Sequence, residues 1–484
     1  MPLHPMTSRV LKRFAEVSAH PRRSKAEGPL IAWLMAWADG HGFETRQDQT
    51  GNLVIAVPAS PGAEHAATVI LQGHLDMVCE AVPGSTHDFS RDAIVPVQEG
   101  EWLRATETSL GADNGIAIAL AMELCTSPHV VHPLLELLFT VDEEVGMSGA
   151  LGLDPALLTG RILINLDSED EGVLTVGCAG GIDTRIRLEL PVQSPPTGHI
   201  ALTVSVGGLV GGHSGIDIHL ERASALRLLA RALDVVGRGT ELRVAQVSGG
   251  SADNAIPRQA AATVYVPAAD REGVVVAVQT LQQQFANEHP RTDPDLFIRV
   301  QEPAAAVETV WTPAASRRAI DLLLAVPHGV ATMSMDVAGL VESSNNLASA
   351  HRMGDALVVR SSQRSSVPSR LTAITAQVES VGRLAGGDVL TDNAYAPWPP
   401  DLASPLLARC QRIYQAQFGK PPVVEIMHAG LECGVIGERV AGMDMISLGP
   451  TVQFPHSPGE RLHVPTIGRV WDLVVAILAD LAEH

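Results

Sequence analysis

No stretch of the 484-residue sequence reaches the roughly 18 uninterrupted apolar residues that a membrane-spanning helix requires, so no integral membrane protein is expected. Between Met1 and His20 the chain carries Arg9, Lys12 and Arg13 among scattered apolar residues, and no continuous apolar segment of signal-peptide length follows. Export is therefore not expected. Cysteine is sparse: Cys79, Cys125, Cys178, Cys410 and Cys433 are an odd number without any Cys-x-x-Cys spacing. That pattern indicates neither a disulfide framework nor a thiolate zinc site, and it fits a reducing, cytoplasmic compartment. Basic residues are also short. Only three lysines, Lys12, Lys25 and Lys420, stand among 34 Lys and Arg, against 54 Asp and Glu, for a formal net charge of -20. Nucleic acid and anionic membrane surfaces are bound by clustered Lys and Arg, so neither is expected as a partner. No internal period suggests a solenoid.

What is present is the composition of a globular enzyme, 46% hydrophobic and 18% charged, in a chain long enough for two or more domains. Val10, Phe14 and Val17, then Leu30, Trp33, Leu34 and Trp37, recur at helical spacing around a break at Pro21, which predicts two helices. Short apolar runs follow at 52–57, 67–71, 134–140 and 161–166, with a helical stretch at 115–124. Strands alternating with helices imply a largely parallel α/β sheet, whose functional groups gather beyond the carboxyl ends of the strands. A glycine cluster at 177–183 interrupts this pattern, and alternation at Leu202, Val204 and Val206 opens what reads as a second domain. In it, strands are expected at 261–266, 296–300 and 356–360, with helices at 222–233, 273–285 and 315–324. Beyond Pro397, Pro399 and Pro400 the first pattern resumes and ends in an amphipathic helix at 467–481. The expected domains are residues 1–183 and 393–484, forming one catalytic unit, with 184–392 inserted between them.

The polar residues that could carry chemistry fall at strand ends or in loops. His74 and Asp76 lie two apart after an apolar run, so both project to one side of the pleat. Asp113 stands in Gly111-Ala112-Asp113-Asn114-Gly115 just before a helix, where flanking glycines let the backbone approach a ligand. Glu143 and Glu144 follow one strand, Asp167 follows another, and His456 sits in a Pro-containing loop. Each has an ordinary reading when taken alone: a capping pair, a helix N-cap, a solvated acidic turn, a polar loop. Their joint occurrence at comparable positions is what chance explains poorly.

The chain resembles the zinc-dependent dipeptidases and deacylases of the aminoacylase and carboxypeptidase type over nearly its whole length. The resemblance is carried by Gln72-Gly73-His74-Leu75-Asp76-Met77-Val78, Leu110 to Gly115, Asp142 to Gly146, Gly211-Gly212-His213-Ser214-Gly215 and Asn254-Ala255-Ile256-Pro257-Arg258. It continues in His428-Ala429-Gly430-Leu431-Glu432-Cys433-Gly434 and in Gly449-Pro450-Thr451 with His456-Ser457-Pro458. Gly459 before Glu460, and Phe454-Pro455 before His456, depart from the usual pattern. The resemblance implies a zinc-peptidase-like α/β catalytic domain with a mixed central sheet flanked by helices, and an inserted α+β lid or dimerisation domain.

It also implies roles. One divalent ion would be held by His74 and Asp167, a second by Glu144 and His456, and Asp113 would bridge both. Asp76 would fix the tautomer of His74. Oxygen and imidazole ligands suit zinc and also admit manganese or cobalt. Glu143 would be the general base for water shared by the two ions. His213 would stabilise the oxyanion, in some relatives from the partner of a dimer. Asn254 and Arg360 would hold the substrate carboxylate, and Glu432 the amino end. The implied activity is hydrolysis of unblocked dipeptides by a homodimer formed through the lid. An N-acyl amino acid deacylase or a carboxypeptidase on the same scaffold is the alternative. A non-catalytic metal-binding protein is disfavoured by Glu143, since a structural site needs no base.

Overall fold

The computed structural model describes residues 3–303, 307–335 and 337–483. It forms two compact units: one takes the chain up to Cys178, then Pro400–Ile426 and the residues from Leu431 on, and the other takes Ala179–Pro399 and Met427–Gly430. Among the described residues no helix is long and apolar enough to cross a membrane.

The first unit is built on an eight-stranded sheet in the order Glu44–Gln47, Leu53–Val57, Leu135–Thr140, Val69–His74, Ile162–Asn165, Asp444–Ser447, Val173–Cys178, Val423–Met427. Its central strands, from Leu135–Thr140 across to Asp444–Ser447, run parallel, and Leu53–Val57 and Val173–Cys178 pair antiparallel on either side. The apolar runs read from sequence are explained by burial on both faces: every residue of Val69–His74 and of Leu135–Thr140 is buried. Register aligns His74 with Thr140 and Gln72 with Asn165, so the central strands end level with one another. Helix Ala112–Thr126 is apolar all round and buried along its length, packed against Val69–His74 and Thr7–Ser18. Thr7–Ser18 turns Val10, Phe14 and Val17 inward, and Gly28–His41 stops at Gly42, whose φ of 73° is a left-handed cap that glycine adopts freely.

The second unit is an antiparallel sheet in the order Phe297–Gln301, His199–Gly207, Ala260–Pro267, Arg243–Gly249, Val341–Met353, Ala356–Ser365, Gly180–Glu189, Asp388–Tyr395, with Gly329–Met333 pairing off Val341–Met353. Helices Ala225–Gly239, Arg271–Glu288, Pro313–Ala325 and Pro368–Leu384 contribute Leu229, Phe285, Leu322 and Val378 to the core that covers it. The expected α+β insert is thus present. Gly180 and Gly181, expected to break the pattern, instead begin the strand Gly180–Glu189. A Cβ on Gly181 would lie 2.5 Å from the Tyr395 ring, so these glycines serve close strand approach rather than a break.

Candidate metal and catalytic site

The site lies at the carboxyl ends of the parallel strands of the first unit. His74 is the last residue of its strand, and its Nε2 stands 3.0 Å from Asp113 Oδ1 and 3.6 Å from Asp167 Oδ1. Asp113 presents its other oxygen, Oδ2, 3.0 Å from Nε2 of His456, and the same His456 nitrogen is 3.0 Å from Glu144 Oε2. One carboxylate therefore sits between two imidazoles, each of which meets a second carboxylate. Among the described residues three groups have ligand atoms within 4.8 Å of one another: His74 with Asp113 and Asp167, Asp113 with Glu144 and His456, and His74 with Glu143 and Glu144.

Backbone geometry aims these groups. Asp113 and Asn114 lie outside helical φ/ψ, ahead of the regular turns of Ala112–Thr126. Asn114 Oδ1 accepts from the His74 backbone N–H at 3.2 Å, and its Nδ2 donates to the Leu166 carbonyl at 3.1 Å, tying the Asp113 turn to the segments that carry His74 and Asp167. Asp76, fully buried, has its Oδ1 3.3 Å from His74 Nδ1 and accepts from the backbone N–H of Glu143 at 3.0 Å, of Glu144 at 3.2 Å and from Ser24 at 2.7 Å. It thus organises the histidine and the Glu143–Glu144 turn together. His456 is held in a loop at a φ of 58°, half exposed.

Electrostatically, the cluster is one of buried acids. Burial raises the Glu143 and Asp167 carboxyls well above the usual range; His74 pulls each back, while neighbouring carboxylates push each up. Burial lowers His74, but Asp167, Asp113 and Asp76 outweigh it and hold the imidazole well above its ordinary value. His456 rises to about 11 through its hydrogen bonds to Asp113 and Glu144. Glu144 Oε1 and Asp167 Oδ1 are buried without a hydrogen-bond partner among the described residues. Orphaned carboxylate oxygens beside imidazoles are a donor set that divalent cations satisfy, so these residues fit a metal centre.

The remaining expected residues are divided between the two units. Glu432 belongs to the first unit and is buried, accepting from Thr140 Oγ1 at 2.6 Å and Gln72 Nε2 at 2.7 Å; burial raises its carboxyl to about 7. His213, Asn254 and Arg360 belong to the second unit. His213 pairs with Ala255 across a short antiparallel bridge, and Ser214 N–H donates to the Asn254 carbonyl at 2.7 Å, so these two residues form one loop pair. His213 Nδ1 accepts from Ile216 N–H at 3.1 Å, which leaves the proton of a neutral ring on Nε2. Arg360 is engaged by Asp253 at 2.8 Å and Asp392 at 3.2 Å, with Asp183 at 3.8 Å.

Two further buried residues shape the site: Arg22, which the sequence did not single out, and Glu460, noted there only as a departure from the usual pattern after His456. Arg22 donates to the carbonyls of Leu75, Asp76 and Gly111, and Glu460 accepts from the backbone N–H groups of Leu110, Gly111 and Asp113. The only sequence signal was the position of Glu460 four residues after His456.

Comparison with known proteins bears on the whole chain. It is 39% identical over 470 residues, 97% of this chain and 96% of the relative, to the cytosol non-specific dipeptidase of Escherichia coli (strain K12). The chain belongs to the cytosol non-specific dipeptidase family. Residues 204–293 match the model of the peptidase dimerisation domain. The crystal structure of aminoacylhistidine dipeptidase from Vibrio alginolyticus, 38% identical, superposes with a TM-score of 0.89 over 99% of this chain and 97% of that one. An M20 family metallo-carboxypeptidase from Sulfolobus solfataricus, 12% identical, shares the fold alone, with a TM-score of 0.53 over 98% of this chain and 99% of that one.

Proposed function

We propose that the protein is a cytoplasmic metallo-dipeptidase that hydrolyses the peptide bond of unblocked dipeptides, Xaa-His among them. Family membership carries the reaction class. The observation that carries the mechanism is Asp113, with its two carboxylate oxygens each 3.0 Å from a different imidazole. Two divalent cations, zinc by the donor set with manganese or cobalt as alternatives, would be held by His74 and Asp167, by Glu144 and His456, and by Asp113 between them. Bound there, they would supply Lewis acidity to the scissile carbonyl and make water more acidic.

The chain's own residues do the rest. Asp76 orients His74 and, through the backbone of Glu143 and Glu144, sets the turn that carries the base. Glu143 takes the proton from the attacking water and delivers it to the departing amine. His213 donates from Nε2 to the developing oxyanion. Asn254 and Arg360 take the substrate carboxylate, which would compete with Asp253, Asp392 and Asp183 for the guanidinium, and Glu432 takes the amino end. The inserted segment expected at 184–392 acts as lid and dimerisation domain of a homodimer.

The test is amino acid release from dipeptides left free or blocked at one end, using chelator-stripped protein resupplied with zinc, manganese or cobalt. Cleavage of free dipeptides alone is expected. Cleavage of N-acylated substrates would move the assignment to a deacylase, and metal-independent or absent cleavage would overturn it.

A further inference from the structure

The segments that carry His74, Asp113 and His456 are far apart in sequence, and two buried ions of opposite sign join them. We propose that Arg22 and Glu460 are positioning residues for the reaction: they grip the carbonyl and the amide of Gly111 and thereby fix the Asp113 carboxylate between His74 and His456. The proposal rests on the hydrolytic reading above.

Arg22 and Glu460 are each only 2% exposed. Arg22 Nη1 donates to the Leu75 carbonyl at 3.0 Å and the Asp76 carbonyl at 2.6 Å, while Nη2 donates to the Gly111 carbonyl. The planar fork therefore spans the segment just after His74 and the turn just before Asp113, a reach that a lysine ammonium, a point donor, does not reproduce. Glu460 Oε2 accepts from the N–H groups of Leu110 and Gly111, both at 2.8 Å, and Oε1 accepts from Asp113 N–H at 3.1 Å. Since Glu460 closes the loop that holds His456, its carboxylate locks that loop to the Asp113 turn. Gly111 is necessary to the arrangement. Its φ is 67°, and a Cβ there would lie 2.5 Å from Arg22 Nη2 and 2.7 Å from Met77 Sδ.

An ordinary reading makes both residues satisfied buried ions that only stabilise the fold. What distinguishes positioning is that each of these side-chain hydrogen bonds ends on backbone within three residues of His74 or Asp113. Displacing such a turn by a fraction of an ångström would weaken ion binding without unfolding the unit. Glu460→Gln tests this with little change in volume, because an amide keeps one accepting oxygen and turns a donor toward the other N–H groups. Arg22→Lys retains the charge and loses the fork.

Three quantities would be measured for each variant and for the double variant: kcat and KM on a free dipeptide, zinc and manganese affinity of chelator-stripped protein by calorimetry, and the melting temperature of that stripped protein. Each single variant is expected to lose about ten- to a hundredfold in ion affinity or kcat, with KM changed less than about threefold and melting near the wild type. The double variant should lose less than the product of the singles, because both act through one residue. Wild-type ion affinity and kcat in both single variants would overturn the proposal. So would losses that appear only with a matching fall in the melting temperature of stripped protein. Because ion affinity is read without turnover, a wild type that binds ions and cleaves no dipeptide would sink the hydrolytic reading and leave this test standing.

Discussion

Glu143 and Glu144 are neighbours in sequence and differ in circumstance. Glu144 places Oε2 3.0 Å from His456, while the Glu143 side chain has no hydrogen bond among the described residues and its backbone is held by Asp76. Burial and the carboxylates around it raise the Glu143 carboxyl, and in the proposed mechanism cations would offset that charge and leave Glu143 as the proton acceptor. Glu143→Gln should therefore keep wild-type ion stoichiometry and lose about a hundred- to ten-thousandfold in kcat, and turnover near wild type with intact metal would refute the assignment. A second residue-scale effect is independent of the site. His328 is half-buried, accepts from Leu347 N–H at 3.2 Å, and is lowered by desolvation and Arg227 to about 4. The folded imidazole stays neutral where the unfolded one, near 6.5, is protonated, so stability falls as pH drops from about 6.5 toward 4, by about 1.4 kcal/mol per pH unit for one such group. The urea midpoint should drop between pH 7 and pH 5, and His328→Gln should narrow that drop; an equal drop would count against it. Sequence could name His74, Asp113, Glu144, Asp167 and His456 from their places at strand ends and in loops and from the resemblance, and their side chains do meet. Arg22 escaped, and Glu460 was noted without a role, because both act on peptide groups, which no pattern of residue types reveals.

At the scale of elements, apolar runs were legible and polar ones were not. The strands Leu135–Thr140, Ile162–Asn165 and Ala260–Pro267 fall within a few residues of where their apolar runs put them. Val341–Met353, which pairs with three other strands of its sheet, gave no such signal, because Ser343, Ser344, Asn345 and Asn346 are polar and yet buried. The sheet accommodates them through side-chain bonds: Asn345 Oδ1 accepts from Ser361 Oγ at 2.9 Å and Gln363 Nε2 at 2.7 Å, and its Nδ2 donates to the Pro327 carbonyl at 2.5 Å. Removing one member strands the others, which costs about 1–3 kcal/mol for each buried group left unpaired. Asn345→Ala should thus lower the urea midpoint, and Asn345→Leu, which refills the volume and leaves the same partners unsatisfied, should not restore it. Recovery by leucine would show that packing rather than hydrogen bonding holds this strand.

At the scale of the molecule, the change and return of the helix and strand pattern suggested an insert at 184–392, whereas the second compact unit takes Ala179–Pro399 with Met427–Gly430. The sequence could not show how many chains build a working site. Residues 204–293, which match the peptidase dimerisation domain, include the His213 loop, and that loop holds His213 with its Nε2 as the donor. If dimerisation brings His213 to the partner's metal cluster, two differently disabled chains can repair each other. His213→Ala would retain an intact cluster and Glu144→Ala an intact His213. Equal mixing makes half the dimers heterodimers, each with one competent site of two, so about a quarter of wild-type turnover is expected after subunit exchange. A histidine that acts within its own chain gives no rescue at any mixing ratio, because every chain then carries its own defect. Sedimentation of the mixture separates the cases: rescue with exchange places His213 across the interface, and exchange without rescue places it within the chain.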